Sequence, residues 1–577
     1  MVEEKTLTGY PSIDKPWLKY YSNELINATL PDCTIYEYMR NNNVEYLDDI
    51  AIHYLGRDIN YRELMSHIDA VASAFQAIGV NPGEIVTIAL PSIPEALYAV
   101  YALNMIGAVA NMIHPLSGEG EIVDYLNEVG CRVAVVFDGT YKLICNSVSK
   151  TPIEHMIVVS AVDSLSTIIR TAYKIKNNTL RIKNTGIITW KEFINGGKGS
   201  VPQYANRRGT DLAIISHTGG TTGEPKGVMC SNNNINAIIW QVGVACSHQR
   251  QERMLVVLPP FINYSLINSM LEPIALGITI ILIPNYEPEK LLEYINKYKP
   301  NHCNSIPPYW EELLKKDIHP NAFSSLRHIY YGGEGMSIDR ETEINKMLLD
   351  NGAQYPLGKG LGETETISCA TLTLPNCNIL GSVGIPMVKV NCSIVDPDSN
   401  DELKCGEEGE LCFAGDTIMI GYYNNQKATD QVIRTHSDGV KWLHTGDIGY
   451  IDRNGVVFIT GRIKRIIVTK GTDGIATKMF PDRIEKVLSG HPAVKVCCVI
   501  GVEDKDRINY PEAIIELNDS FFPSNELSQE LKAFCSKSLP QYLIPEVIEF
   551  TECLPRTSRG KVDFRALEKL AEEQKND

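Results

Sequence analysis

The sequence predicts an α/β protein. A large N-terminal unit of doubly wound βα layers carries a β-barrel-like subdomain, and a small mobile C-terminal α+β domain follows it. Three observations predict this. Short apolar runs alternate with helix-spaced segments from Thr34 to Phe137, and again from Asn234 to Tyr331. Beyond Gly384 the rhythm changes to short strands joined by turns such as Asp452-Arg-Asn-Gly455. The chain, at 577 residues, exceeds what one ordinary core supports.

Taken in order, Tyr61–Ile78 has helical spacing, Asn81-Pro-Gly83 breaks it, and Glu84–Leu90 is a short apolar strand. Glu95–Ile106 is again helical, and Ala108–Ile113 and Val133–Phe137 read as buried strands. The most apolar window, Leu97–Ile113, is interrupted by Asn104, Gly107 and Asn111. It reads as a buried helix leading into a core strand, not as a membrane span. Residues 141–200 are less regular. Between Ser164 and Lys183 they hold Arg170, Lys174, Lys176, Arg181 and Lys183 with no acidic residue. A solvated basic helix or hairpin is one reading, and a peripheral membrane contact is the other.

Further on, Asn234–Ser247 is helical and Arg253–Pro259 is a strand, and the βα pattern continues through Ile278–Ile283, Glu289–Tyr298 and His328–Tyr331. Repeated βα units imply a parallel sheet covered on both faces. From Ile463, strands Val494–Ile500, Ala513–Leu517 and Val547–Phe550 alternate with helices Asp482–Leu488 and Glu526–Ser538. That is enough chain for a separate domain, so the expected division is 1–462 and 463–577.

Composition narrows the function. Apolar residues make up 44% and charged ones 21%, as in ordinary globular proteins. A net charge of −16 argues against a general nucleic-acid binder. The 15 cysteines include no Cys-x-x-Cys pair, which fits reduced, buried thiols. No apolar run follows Met1-Val-Glu-Glu-Lys5, so no signal peptide is expected, and a cytoplasmic enzyme is.

The chemistry concentrates between Ile214 and Met229, where four glycines, three threonines and one lysine follow the apolar run Leu212–Ile215. Glycines let several backbone N–H groups turn toward one point, and threonine hydroxyls and a lysine add donors and charge. This is a polyphosphate cradle. It is not a Walker A loop, because Pro225 precedes Lys226 and Gly227 follows it. The alternative is a mobile glycine-rich surface loop. Five later stretches are also rich in polar groups: Tyr331-Gly-Gly-Glu-Gly335, Gly360-Leu-Gly-Glu-Thr-Glu-Thr366, His444-Thr-Gly-Asp447, Gly461-Arg-Ile-Lys-Arg465 and Pro555-Arg-Thr-Ser-Arg-Gly-Lys561. The second of these falls at the end of a βα unit, where α/β sheets bind ligands.

In order and in joint presence these motifs resemble the adenylate-forming superfamily: acyl- and aryl-CoA synthetases, adenylation domains of peptide synthetases, and luciferases. The family signature Thr-Ser-Gly-Thr-Thr-Gly-x-Pro-Lys-Gly-Val stands here as Thr218-Gly-Gly-Thr-Thr-Gly-Glu-Pro-Lys-Gly-Val228. The likeness runs over essentially the whole chain and is strongest to stand-alone acyl-CoA synthetases.

The resemblance implies two half-reactions: a carboxylate and ATP give an acyl-adenylate and pyrophosphate, then a thiol takes the acyl group and AMP leaves. It implies ATP, Mg2+ and coenzyme A as cofactors. Thr218, Gly220, Thr221, Thr222, Gly223 and Lys226 would cradle the phosphates. Gly333, Glu334, Gly335 and Leu361 would line the adenine site, and Asp447 and Arg462 would hold the ribose. Glu365 would ligate the metal and Thr364 would meet the α-phosphate. Lys561 would bridge the carboxylate and the α-phosphate, and the small domain would turn about Lys464.

Four departures from the family pattern stand out. Gly219 replaces a serine, Leu361 an aromatic and Ile262 a histidine, and the loop Gly471–Phe480 is longer than the usual glycine pair. The expected acyl pocket draws on Phe261–Met270 (Phe261, Ile262 and Asn263 first), Ser305–Tyr309, Tyr331 and Gly358–Leu361. Ile262 stands where amino-acid-activating relatives carry an aspartate, so a fatty, aryl or similar hydrophobic acid is expected. The acceptor is expected to be coenzyme A, with an acyl carrier protein as the alternative partner. A non-catalytic binding protein on this fold is the alternative of a different class.

Overall fold

The computed structural model describes residues 7–140, 144–145, 148–165, 187–218, 226–465, 467–470, 476–504, 508–556 and 562–576. The large unit is built on two sheets. One has seven strands in the spatial order Gly358–Lys359, His328–Tyr331, His302–Ser305, Arg253–Val256, Thr279–Leu282, Ile50–Tyr54, Arg57–Asn60. All its neighbours are parallel except the Ile50–Asn60 hairpin at one edge. The other has eight strands in the order Gly421–Tyr422, Gly227–Ser231, Leu212–His217, Val109–Met112, Ile85–Ala89, Val133–Phe137, His155–Val159, Ile187–Thr189. From Leu212–His217 onward it is parallel, while its first two joins are antiparallel.

The helix Pro94–Met105 is buried along its whole length and belongs to an apolar cluster that takes side chains from both sheets. A helix that is apolar all round has no solvent face to offer and is stable only inside. It runs, as expected, into the core strand Val109–Met112. Ile50–Tyr54 crosses to the seven-stranded sheet and pairs with Thr279–Leu282 (Ile52 opposite Ile280), a partner more than two hundred residues away.

Beyond Gly384 lies a five-stranded antiparallel sheet of Asn391–Val395, Gly409–Ala414, Lys441–Ile451, Ile433–Thr435 and Val457–Arg462. The long Lys441–Ile451 strand pairs with Ile433–Thr435 along its first half and with Val457–Arg462 along its second. Register shifts at Glu410/Cys412 and Ile448/Gly449 curl it, as bulges do.

The small C-terminal domain is α+β. Val494–Asp504, Ile508–Leu517 and Val547–Thr551 form its sheet, and Pro481–Leu488, Asn525–Ser536 and Phe564–Asn576 are its helices. Its two apolar clusters are drawn entirely from residues at or beyond Ile467.

Two expectations are corrected. Residues 141–200 contain sheet strands, His155–Val159 and Ile187–Thr189, whose short apolar runs were hidden between irregular flanks. The long loop Gly471–Phe480 is in part a strand: Ala476–Met479 pairs with Ile467–Lys470, a partnership that four-residue runs of mixed polarity do not announce. The basic cluster from Arg170 to Lys183 lies outside the described residues. Among the described residues no helix is long and apolar enough to cross a membrane.

Candidate active site

The carboxyl ends of three parallel strands meet at one edge of the seven-stranded sheet, with Ser305 opposite Tyr331 and Tyr331 opposite Lys359. Ligands in open α/β sheets bind outside such strand ends. Just past them, Gly332 N–H donates to Ser305 O at 3.1 Å, and Gly333 takes φ 82°, which only glycine adopts freely. Gly333, Glu334 and Gly335 then run exposed along the rim. The Gly360–Gly362 turn lies flush on the strand beside it. A Cβ on Gly362 would sit 1.6 Å from Ser368 O, and Leu361 O accepts from Ala370 N–H at 2.8 Å. These glycines are therefore fixed by packing. Leu361 itself is half-buried against the main core.

The phosphate-loop candidate is the tip of a β-hairpin. Leu212–His217 and Gly227–Ser231 pair antiparallel, and Thr218 N–H donates to Lys226 O at 3.0 Å, closing the loop at its base. Gly219, Gly220, Thr221, Thr222 and Gly223 lie outside the described residues. The Lys226 ammonium sits 4.8 Å from the centroid of the Tyr422 ring, and Tyr422 O–H donates to Glu365 Oε1 at 2.6 Å. Burial, then the Glu365 carboxylate, push the Tyr422 hydroxyl well above its ordinary value, so it stays a donor. Two backbone joins hold this line in place: Tyr422 lies opposite Val228 in the sheet, and Met419 N–H donates to Glu365 O at 2.9 Å. Glu365 is thus joined through Tyr422 to Lys226, at the base of the loop. Tyr422 carries no motif, and only the register of its two-residue strand reveals it.

His217 anchors the hairpin from below. It is buried, with Nε2 2.7 Å from Asn111 Oδ1 and Nδ1 3.6 Å from Glu128 Oε2, and Glu128 Oε1 accepts from Gly227 N–H at 3.4 Å. Beside it opens a small, solvent-connected pocket lined by His114, Glu121, Tyr125, His217 and Phe261 among others.

Asp447 and Arg462 face each other across two strands, with Nε–Oδ1 at 2.7 Å, and Arg462 also reaches to 3.6 Å from Glu363 Oε1. The turn before Asp447 is braced internally: Thr445 O–H donates to Leu411 O at 2.8 Å, and Asp447 N–H donates to Thr445 Oγ1 at 3.0 Å. One guanidinium therefore ties the proposed ribose turn to the loop that carries Thr364 and Glu365.

Residues Ile463–Arg465 form a single short turn between the large unit and the small domain. Lys464 is its middle residue. Arg465 is clamped on the far side by Asp482 and Glu485, each at 2.6 Å. Lys561 lies outside the described residues.

The expected acyl-pocket residues are only partly gathered. Phe261 packs on His114, ring centroids 4.0 Å apart, and Ile262 is exposed at the start of the short Asn263–Ser265 helix. Asn263 is buried, accepting from Ser216 O–H and donating to Cys230 Sγ at 3.9 Å. A Cβ on Gly358 would strike the Tyr330 ring at 2.3 Å, so that position faces the Tyr330 side. Tyr331, one residue on, packs in the cluster on the other face. Tyr331 and Gly358 stand on neighbouring strands, one position out of register. Tyr264, within the Phe261–Met270 stretch expected to line the acyl pocket, lies against Gly332, and its buried hydroxyl has no hydrogen-bond partner among the described residues.

Comparison with known proteins agrees with this geometry. The family model of AMP-binding enzymes matches residues 39–423, and that of the AMP-binding enzyme C-terminal domain matches residues 483–561. A long-chain-fatty-acid–CoA ligase of Bacillus subtilis is 28% identical over 97% of this chain and 99% of its own. A probable 4-coumarate–CoA ligase of Dictyostelium discoideum is 28% identical over 87% of this chain and 90% of its own. Among solved structures, ATP-bound MatB from Rhodopseudomonas palustris superposes with a TM-score of 0.80 at 20% identity, covering 93% of this chain and 98% of that one. A benzoate CoA ligase from Burkholderia xenovorans gives 0.77 at 19% identity, covering 93% and 100%. The chain belongs to the family of AMP-binding enzymes, the adenylate-forming superfamily.

Proposed function

We propose that the protein is an AMP-forming ligase that joins a hydrophobic carboxylic acid to coenzyme A, at the expense of ATP. The observation that carries this reading is the line from Lys226 through Tyr422 to Glu365, with Arg462 joining Asp447 to Glu363, two residues before Glu365. In this reading the cation, the carboxylate and a ribose-gripping acid surround one bound nucleotide. The names of the similar fatty-acid and coumarate ligases support the acid and the thiol.

In this reading the phosphates of ATP lie in the 218–226 hairpin loop, with Thr218, Thr221, Thr222 and Lys226 as donors. The adenine lies along Gly333–Gly335 and Leu361, and Asp447 accepts from the ribose hydroxyls with Arg462 holding it in place. The acid's carboxylate oxygen attacks the α-phosphorus, the bond to pyrophosphate breaks, and an acyl-adenylate forms. Charge grows on the phosphoryl oxygens, so the chain's part is positioning and electrostatic stabilisation. Glu365 is chemically suited to Mg2+, a hard ion that accepts one carboxylate beside phosphate oxygens and waters. Lys561 offsets the repulsion between the two anions. The small domain, residues 463–577, then turns about Lys464, and a thiolate attacks the acyl carbonyl and expels AMP. The acid lies beside Phe261 and Ile262.

Acid-dependent ATP–pyrophosphate exchange, screened over fatty, aromatic and bile acids, tests the first step. Exchange with hydrophobic acids is expected, and none with any acid would sink the reading. AMP release should then depend on coenzyme A; release driven only by a carrier protein would move the acceptor to that partner.

A further inference from the structure

The curled antiparallel sheet brings together three side chains that no spacing in the sequence connects. Cys412 lies on Gly409–Ala414, His444 on Lys441–Ile451, and His436 just beyond Ile433–Thr435. Cys412 and His444 are directly opposite in the sheet. The Cys412 sulfur and one nitrogen from each histidine all lie within 4.8 Å of one another. Cys412 is fully buried, His444 nearly so, and His436 is half-buried at the edge.

The two imidazoles point at each other, Nε2 to Nε2, at 2.9 Å. Behind His444, Nδ1 meets Glu410 Oε2 at 2.7 Å, and the other oxygen of Glu410 accepts from Gly446 N–H at 2.9 Å. With Nδ1–H of His444 donating to Glu410, the neutral tautomer presents a bare lone pair at Nε2. His436 then donates from its Nε2, and moving that proton to its Nδ1 leaves two lone pairs facing one point. A carboxylate behind a histidine is the arrangement that orients metal-binding imidazoles. The ring of His436 stacks on Trp442, centroids 5.5 Å apart, which sets its plane.

We infer that Cys412, His436 and His444 form a site for a thiophilic divalent ion of the zinc type. One thiolate with two imidazoles suits borderline-soft ions and not magnesium or calcium. Tetrahedral zinc separates two ligand nitrogens by about 3.3 Å, so the histidine pair needs to open only slightly. The thiol releases its proton to solvent on coordination, and no redox change occurs. Water takes the fourth position on the side where His436 meets solvent. The site stands apart from Glu365, although Glu410 links it to the turn that presents Asp447.

The test uses the full-length protein with Co2+ and Zn2+. One Co2+ per chain should give tetrahedral d–d bands and a thiolate-to-cobalt charge-transfer band, and Zn2+ should displace it. Cys412→Ser should abolish the charge-transfer band, whereas Cys553→Ser, at an exposed thiol, should leave it intact. In case Cys412→Ser misfolds, His436→Ala keeps the inference falsifiable: it should weaken zinc binding against a chromophoric chelator by more than tenfold. Glu410→Gln should weaken it by roughly 10- to 100-fold. Absence of the charge-transfer band in the wild type, or zinc affinity unchanged in His436→Ala, would overturn the site.

Discussion

Arg462 and Arg465 stand three residues apart, and each meets two carboxylates, yet they serve opposite ends. Arg462 lies 2.7 Å from Asp447 and 3.6 Å from Glu363 with 45% of its side chain exposed. Arg465 lies 2.6 Å from both Asp482 and Glu485 with 15% exposed. The partners of Arg462 come from a strand and a loop of the large unit. Those of Arg465 come from one helix, Pro481–Leu488, and Glu485 also accepts from Val499 N–H at 2.6 Å. Arg462 is a loosely held hand at the rim of the cleft, and Arg465 is a cross-brace of the small domain. Lys464 sits between them, so the two contacts fix the chain on either side of the proposed pivot. A guanidinium pairs well in both settings, and burial decides whether it supports the fold or a ligand.

The largest expected effect is on the brace. Arg465→Ala leaves two carboxylates unpaired in the small domain and should cost about 3–5 kcal/mol, read by urea unfolding. If it lowered ATP affinity while leaving stability alone, the comparison would break. Arg462→Ala should act on the ATP step instead. The KM for ATP in the exchange reaction should rise roughly tenfold or more, since a charge-assisted contact is lost, an effect on ATP that Arg465→Ala should not show whatever stability each loses. Lys226→Ala should cost somewhat less, several-fold up to about tenfold in kcat/KM for ATP, because backbone donors share the phosphate load. An unchanged ATP step in that variant would remove the cradle assignment. Tyr422→Phe should have the smallest effect, roughly three- to tenfold, since it deletes only the hydroxyl that aims Glu365. Rescue by raised Mg2+ would sharpen the assignment of that carboxylate to the metal.

Much of the fold was legible because buried parallel strands are continuous apolar runs with sharp ends. Val133–Phe137 and His328–Tyr331 are found where those runs begin and end. Strands that owe their existence to a distant partner were not legible. Ile50–Tyr54 needs Thr279–Leu282, more than two hundred residues away, whereas Ala476–Met479 pairs with the nearby Ile467–Lys470 and was hidden by its mixed polarity instead. The site shows the same division. Asp447 opposite Arg462 and Glu365 beside the hairpin follow from motifs. Tyr422 does not, because its position depends on one antiparallel join to Val228. Gly362 was legible as a glycine but not for its reason, which is the carbonyl of Ser368 and not a ligand. Cys412, His436 and His444 were invisible as a group, since three strands and two bulges set their meeting point.

The account rests on one cleft serving two reactions by turns about Lys464. Its most direct test separates those reactions in Lys561→Ala. Pyrophosphate exchange should fall by about 10²- to 10³-fold, the loss expected when one positioned charge leaves a transition state. Thioester formation from a supplied acyl-adenylate should stay close to wild type, because Lys561 has withdrawn by then. Equal loss of both half-reactions, or undiminished exchange, would contradict the account.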